Sequence, residues 1–390
     1  MCPTGKIINQ VTGICIIDRR PKSKTNTNVL SKKVKKPTCP SIIHDIAKKK
    51  LQFIGSGEGG IVFRMDNIND TYALKLSIAD NEYKFDKNHP VNIEDSMLKE
   101  IEKLRLKGIS PHFNPFYGST KCNLKSILDK LTNSGYISED YQSHLMKFYS
   151  STPDNFYYRI FLSNFVDGNL KSYLLHNSKK KRTQKYYKAL LFHSCYSLSC
   201  LQYNIKGFRH NDLHLENVFI KINSKTLIQP QKVSEYEIFG KKYYIPLLDI
   251  NPIIADFDFA SSDKYQNTKI ADQYNYGNYG INYNRNPYFD LHLLINMLLE
   301  EFPDCKSTYG KIYPSDILGT DNKNGNTRMC RLTIEREDIT TPAEFILFHE
   351  IFNEFKKVPK GAEIVDRFKA SIPAYDKIKK RSDMFNVYLD

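Results

Sequence analysis

The spacing of apolar positions changes along this chain. From Leu51 to Met65 apolar and polar residues alternate on both sides of a glycine-rich turn, which predicts a strand–turn–strand unit, and Thr71 to Ser77 predicts another strand. From Asn92 to Lys107 the period lengthens, and Met97, Ile101 and Leu104 fall on one face of a helix. Residues 119–155 are polar with helical spacing and read as an insertion between core elements. Tyr157 to Phe165 predicts a strand, Leu170 to Leu175 the start of a helix, and Tyr186 to Tyr203 a long amphipathic helix that ends before Gly207. Val218-Phe219-Ile220 is a short strand, 222–250 a second insertion with hairpin character, Asp290 to Glu301 an apolar helix, and Ala343 to Lys357 a further helix. Strands first and helices afterwards predict an α+β fold of two lobes, a small sheet-rich one followed by a larger helical one, and exclude a doubly wound α/β sheet.

Composition refines this only in part. The 390 residues are enough for a sizeable core, and 41% hydrophobic with 26% charged residues is the balance of a soluble globular chain. The net charge of +14 is unevenly placed: in residues 1–50 twelve Lys or Arg face only Asp18 and Asp45. The body is therefore nearly neutral behind a basic head. Such a head is either a solvated, disordered tail or an attractor for an acidic protein, nucleic acid or anionic surface. The eight Cys show neither a CxxC pair nor zinc-type spacing, so reduced thiols are expected, with Cys195 and Cys200 in the core. No membrane span or signal peptide is predicted, which points to the cytoplasm.

The candidate chemistry lies in four places. Gly55-Ser56-Gly57-Glu58-Gly59-Gly60-Ile61-Val62 carries glycines between two strands, not between a strand and a helix. That favours a loop folded over phosphates, where backbone N–H groups approach the anion, over a dinucleotide-binding turn. Tyr72-Ala73-Leu74-Lys75 places a Lys on the next strand. His210-Asn211-Asp212-Leu213-His214-Leu215-Glu216-Asn217 puts an Asp and an Asn five residues apart on one loop, and Asp256-Phe257-Asp258 follows the strand-like Pro252-Ile253-Ile254-Ala255. Phosphoryl transfer needs such a set: a carboxylate to orient the attacking hydroxyl, and oxygen ligands to hold magnesium.

Together these motifs resemble those of protein kinases, over roughly residues 50–300. The resemblance implies ATP and magnesium as cofactors and a protein hydroxyl as acceptor. It implies that Gly55, Ser56, Gly57, Gly60 and Val62 cover the nucleotide and that Ala73 and Phe219 line its site. Lys75 would pair with the phosphates. Backbone groups of Asn164 to Val166, in Ser163-Asn164-Phe165-Val166, would bind adenine, with Ser163 as the small residue behind it. Asp212 would orient the acceptor hydroxyl and take its proton, His214 would assist at the γ-phosphate, and Asn217 and Asp256 would ligate magnesium. His210 would be structural, and Asp290 would brace the loop. Lys75 needs a carboxylate partner from the following helix, and Glu100 is the first choice with Glu94 as the alternative. With Glu100, Leu104 would meet Phe257.

Several positions depart from the pattern. Asn211 stands where an Arg usually pairs with a phosphorylated activation segment, His214 where a Lys is usual, and Asp258 where a Gly is usual, and no Ala-Pro-Glu precedes Asp290. These features are similar to the haspin-like group and kinases of large cytoplasmic DNA viruses, and also to the choline and aminoglycoside kinases. The Gly-rich loop and Tyr-Ala-Leu-Lys favour the former, and so a Ser/Thr protein kinase over a small-molecule hydroxyl kinase. A binding-only pseudokinase is disfavoured because Lys75, Asp212, Asn217 and Asp256 are all present. The short Cys2…Cys15 unit resembles a terminal module of such viral proteins, whose location would be host cytoplasm or virion. The expected organisation is a basic, largely disordered extension over 1–45, a first lobe over 46–166 and a second over 167–390.

Overall fold

The computed structural model describes residues 6–8, 15–17, 36–48, 51–57, 60–66, 70–136, 156–178, 182–223, 232–271, 287, 289–309, 343, 347–370 and 372. Near the start, β1 (Lys6–Ile8) and β2 (Cys15–Ile17) form an antiparallel hairpin. Helix α1 (Cys39–Ala47) begins at a reciprocal cap in which Thr38 Oγ1 accepts from the Ser41 N–H and Ser41 Oγ accepts from the Thr38 N–H.

The first lobe is an antiparallel sheet of β3 (Leu51–Gly57), β4 (Gly60–Asp66), β5 (Thr71–Asp80), β6 (Phe116–Asn123) and β7 (Phe156–Asn164), in the order β3-β4-β5-β7-β6. Alternation sorts its two faces. Ile61, Phe63, Leu74, Leu76 and Ile160 form a core with Ile42 and Ile46 of α1 and Ile127, Leu128 and Leu131 of α3 (Leu124–Asn133). The opposite face carries Val62, Ala73, Lys75, Phe161 and Ser163, with Val62 opposite Lys75 and Ala73 opposite Ser163. Helix α2 (Pro90–Leu106) starts with Pro at its first position, after His89. Its buried stripe of Ile93, Met97, Ile101 and Leu104 joins the second lobe's core.

The second lobe is built on α4 (Leu170–His176) and α5 (Gln184–Asn204), the latter capped by Thr183 Oγ1 and buried along most of its length. Strands β8 (Gly168–Asn169), β9 (Val218–Ile222) and β12 (Ile250–Ile254) form a small sheet in the order β12-β9-β8. The short helix α6 (Thr268–Ala271) and the longer α7 (Phe289–Glu301) follow. This is the two-lobed α+β arrangement that the order of elements implied.

Five expectations are corrected. The extension does not reach residue 45, because α1 buries Ile42 and Ile46 in the sheet lobe. The stretch expected as an insertion from 119 begins inside the sheet: β6 is an edge strand, whose polar side chains suit its partly exposed position, and α3 is core. Its remainder, 137–155, lies outside the described residues. The 222–250 segment does contain a hairpin, β10 (Lys232–Ile238) with β11 (Lys241–Pro246), but it is integrated. Tyr236, Ile238, Tyr243 and Ile245 enter the main core, and β13 (Glu363–Lys369) pairs in parallel with β10. Toward the end, 3₁₀ turns over Glu350–Lys356 replace part of the expected helix, and Val358-Pro359 follows them. Finally, Cys39 and Cys122 form a disulfide with Cα atoms 5.4 Å apart, whereas Cys195, Cys200 and Cys305 are buried free thiols.

Candidate active site

Lys75 points from β5 into the cleft between the lobes and bonds two carboxylates at once: Glu94 Oε1 at 2.8 Å and Asp256 Oδ1 at 2.9 Å. Glu94, not Glu100, is therefore its partner on α2. At 3.6 residues per turn, six positions rotate a side chain by about 120° away from the starting face. Glu94 sits on the buried stripe beside Ile93 and Met97, and Glu100 turns outward to Lys103 at 3.1 Å and Lys264 at 3.8 Å. Leu104 and Phe257 nevertheless share one core cluster.

Burial raises the Glu94 carboxyl above its ordinary range, with Lys75 acting in the opposite sense. For Lys75, burial acts to lower the ammonium, but Asp256 and Glu94 outweigh it and the net direction is upward. For Asp256, burial pushes up, but Lys75 together with His210 and Lys269 outweighs it and the net direction is downward, which leaves it a carboxylate. The trio is thus held together by charge in a partly desolvated cleft.

The loop after α5 is fixed by its backbone. Asp290, fully buried at the start of α7, accepts from the N–H groups of His210 and Asn211, each at 2.8 Å. His210 Nε2 bonds the Ala255 carbonyl at 2.9 Å, which is the structural part expected of it. Asn211 and Asp256 both have left-handed backbones, with φ of 65° and 63°. Asn and Asp tolerate this region better than other side chains, and its use on both sides of the site re-aims the chain there. Asn217 Nδ2 donates to the Asp212 carbonyl at 2.8 Å and to Asp212 Oδ2 at 3.1 Å. The Ala255 N–H donates to the Asn217 carbonyl at 3.0 Å, so the two expected metal ligands lie on adjoining backbone. His214 Nδ1 accepts from the Glu216 N–H at 3.2 Å, which leaves the ring proton on Nε2, 3.3 Å from Asp212 Oδ2. His214 therefore steadies the Asp212 carboxylate itself.

Among the described residues no group of three His, Cys, Asp or Glu is placed to hold a metal ion. The donor set still suits magnesium, which takes one or two protein oxygens and completes its shell with phosphates and water. With its Nδ2 committed to Asp212, Asn217 presents its amide oxygen as the remaining polar atom.

The nucleotide-side residues are placed in part. Val62 and Ala73 lie on the sheet face that carries Lys75. Gly60 (φ 119°) is needed for packing, since a Cβ there would stand 2.0 Å from the Leu76 carbonyl oxygen, whereas one at Gly55 would meet nothing within 4 Å. Gly57 ends β3 and pairs with Gly60, Ser56 precedes it on the same strand, and Glu58 and Gly59 lie outside the described residues. The Asn164 N–H donates to the Pro115 carbonyl, and the Asn164 carbonyl accepts from Asn114 Nδ2 at 2.8 Å, so the link between lobes is tied to the α2–β6 loop. Val166 follows on this link, and Phe219 lies on β9 opposite Asn169.

Other residues at the site had weak signals or none. Glu94 is one of three buried polar residues on α2, with Asn92 and Asp95, so its place in the sequence does not single it out. Asn267 and Lys269, which bond the Asp258 turn, lie in a Tyr/Asn-rich segment without periodicity.

No protein-family model matches the chain. It is 23% identical over 329 residues to the "Putative serine/threonine-protein kinase R400" of Acanthamoeba polyphaga mimivirus, covering 79% of this chain and 69% of that one. Among solved structures, a chain from "WaaP in complex with acyl carrier protein" is similar at 10% identity and a TM-score of 0.35, covering 69% of this chain and 82% of that one.

Proposed function

We propose that this chain is a phosphotransferase that moves the γ-phosphate of magnesium-bound ATP to a serine or threonine hydroxyl of a protein. The observation that carries the reading is the Lys75–Glu94 and Lys75–Asp256 pair of bonds, set beside an Asp212 held by Asn217. The similarity to the mimivirus chain supports the same reaction class.

Lys75 has three N–H donors. Two are directed at Glu94 and Asp256, and the third is available for a phosphate oxygen between the strands and the loop. Bound magnesium would be held by Asn217 and Asp256 and would supply charge neutralisation at the phosphates. Asp212, oriented by Asn217 and His214, aligns the acceptor hydroxyl and receives its proton as the new P–O bond forms and the bond from the γ-phosphorus to the bridging oxygen breaks, releasing ADP. Such a positioned base contributes about 10²–10⁴ in rate. Asp212 has no role in nucleotide binding, so its loss should leave ATP affinity intact.

The test is incubation with labelled ATP and magnesium, offering protein acceptors in one arm and choline and sugar alcohols in the other. Label on protein Ser/Thr, absent in Asp212→Ala, is expected. Transfer to the small molecules alone would replace this reading with a small-molecule hydroxyl kinase. ATP binding without transfer would make the chain a pseudokinase. Among the described residues no helix is long and apolar enough to cross a membrane. The basic head is assigned here to an acidic or nucleic-acid partner, to be tested by binding with and without residues 1–35.

A further inference from the structure

The short helix α6 touches three parts of the candidate site. Its Lys269 Nζ lies 2.8 Å from Asp258 Oδ2 and 3.7 Å from the centre of the Phe259 ring. Just before it, fully buried Asn267 donates from Nδ2 to the carbonyls of Asp258 (2.6 Å) and Ala260 (3.1 Å), and its Oδ1 accepts from the Lys269 N–H at 3.0 Å. On the other side, the Thr268 N–H and Oγ1 both donate to the Asn88 carbonyl, at 2.9 and 3.2 Å, on the approach to α2. Ile270 packs into a small core with Phe289 and Leu293 of α7, the helix that carries Asp290.

Asn211 completes the pattern. It occupies the position at which the resemblance expects an Arg paired with a phosphate. Its Nδ2 instead bonds the Phe259 carbonyl at 3.1 Å and Ser261 Oγ at 3.0 Å. The backbones of Arg209 and Ser261 also bond each other in both directions, at 2.9 and 3.0 Å. The segment after Asp256 is therefore stitched to the catalytic loop, to the Asp258 turn and to the approach of α2 by side chains already in the chain.

From this network we infer that Lys269 is a positioning residue. Through Asp258 it holds the turn that presents Asp256, and with Thr268 on Asn88 it keeps α2, and so Glu94, in register with Lys75. The Lys75–Glu94–Asp256 assembly then forms without phosphorylation of the segment between Asp256 and Asp290. The kinetic consequence rests on the phosphotransferase reading above, and the mechanical one does not.

The experiment compares wild type, Lys269→Met, Lys269→Arg, Asp258→Asn and Lys269→Met/Asp258→Asn, each confirmed folded by its thermal midpoint. Lys269→Met is expected to lower kcat by about tenfold and to raise the magnesium concentration for half-maximal rate, with metal-free ATP binding unchanged. Lys269→Arg should recover most of the loss, and adding Asp258→Asn should cost much less than its effect in wild type, as for partners in one pair. Phosphatase treatment of the wild-type protein should leave kcat unchanged. Wild-type kcat and magnesium dependence in a folded Lys269→Met, or loss of activity on phosphatase treatment, would overturn the inference. Hydrogen exchange over 86–98 and 256–260 reads the clamp without catalysis: faster exchange in both stretches of Lys269→Met is expected, and unchanged exchange would reject it. If wild type transfers no phosphate to any acceptor, the functional reading fails and these exchange data still decide the clamp.

Discussion

The carboxylate of Asp290 accepts the backbone N–H groups of Asn211 and its neighbour His210, at 2.8 Å each, from a position 79 residues further along the chain than Asn211. Both donors are buried, and Asn211 is held there in a left-handed conformation. A buried N–H without an acceptor costs about 1–3 kcal/mol. Asp290→Ala should therefore lower unfolding stability by roughly 2–5 kcal/mol and abolish transfer, as read by urea denaturation and the ATP assay. A variant with full activity would show that Asp212 needs no such brace.

Glu94 and Glu100 lie on one helix with different faces. Glu94→Gln removes the buried charge that holds Lys75 and should reduce kcat/KM by about a hundredfold. Glu100→Gln should stay within about twofold of wild type, since its exposed pairs contribute little. Equal losses in the two variants would contradict the geometry of α2.

Gly60 and Gly55 separate a packing role from a ligand role. At Gly60 a methyl would collide with the Leu76 carbonyl in a backbone conformation that only glycine adopts readily. Gly60→Ala should destabilise the sheet lobe by about 2–4 kcal/mol. Gly55→Ala meets nothing, so it should keep the wild-type melting temperature and alter only nucleotide affinity. Calorimetry and a fluorescent-nucleotide titration distinguish the two.

His112 and His193 pack against each other in the core with their rings tilted by 37° and ring centres 4.3 Å apart. Burial lowers His112 to about 4 and lowers His193 well below its ordinary value. The unfolded chain then binds protons that the folded one refuses between the ordinary value of about 6.5 and the folded value. Stability is present above that ordinary value and is lost as pH falls toward 4, by about 2 kcal/mol at pH 5 for His112 alone. Denaturation curves at pH 7 and 5 should show this loss, and His193→Phe should reduce it. A pH-independent midpoint would mean that the rings titrate normally.

Cys39 and Cys122 close a loop of 83 residues between α1 and β6. A closure of that length stabilises by roughly 2–5 kcal/mol in the chain-entropy account. Dithiothreitol, or Cys39→Ser, should lower the melting temperature and slow the chain on a gel. Insensitivity to reductant would show that α1 is held by Ile42 and Ile46 alone.

Local chemistry in the sequence fixes a good deal of this protein. The glycine-flanked hairpin, the Lys75 strand, the α2 stripe and the Asp212…Asn217 loop are set by residues close in sequence, whose spacing imposes a period or a turn. The division into a sheet lobe and a helical lobe was legible for the same reason. Tertiary structure alone decided which carboxylate meets Lys75, because a register on α2 is chosen by the core that Met97 and Leu104 enter. It also decided that α1, β6 and the 232–246 hairpin belong to the body, since their polar residues look like surface until the strand or helix that covers them is known. The bond of Lys269 to Asp258, the reach of Asp290 to Asn211 and the Cys39–Cys122 link join residues with no shared local pattern. Only the packing of whole elements brings such groups within bonding distance.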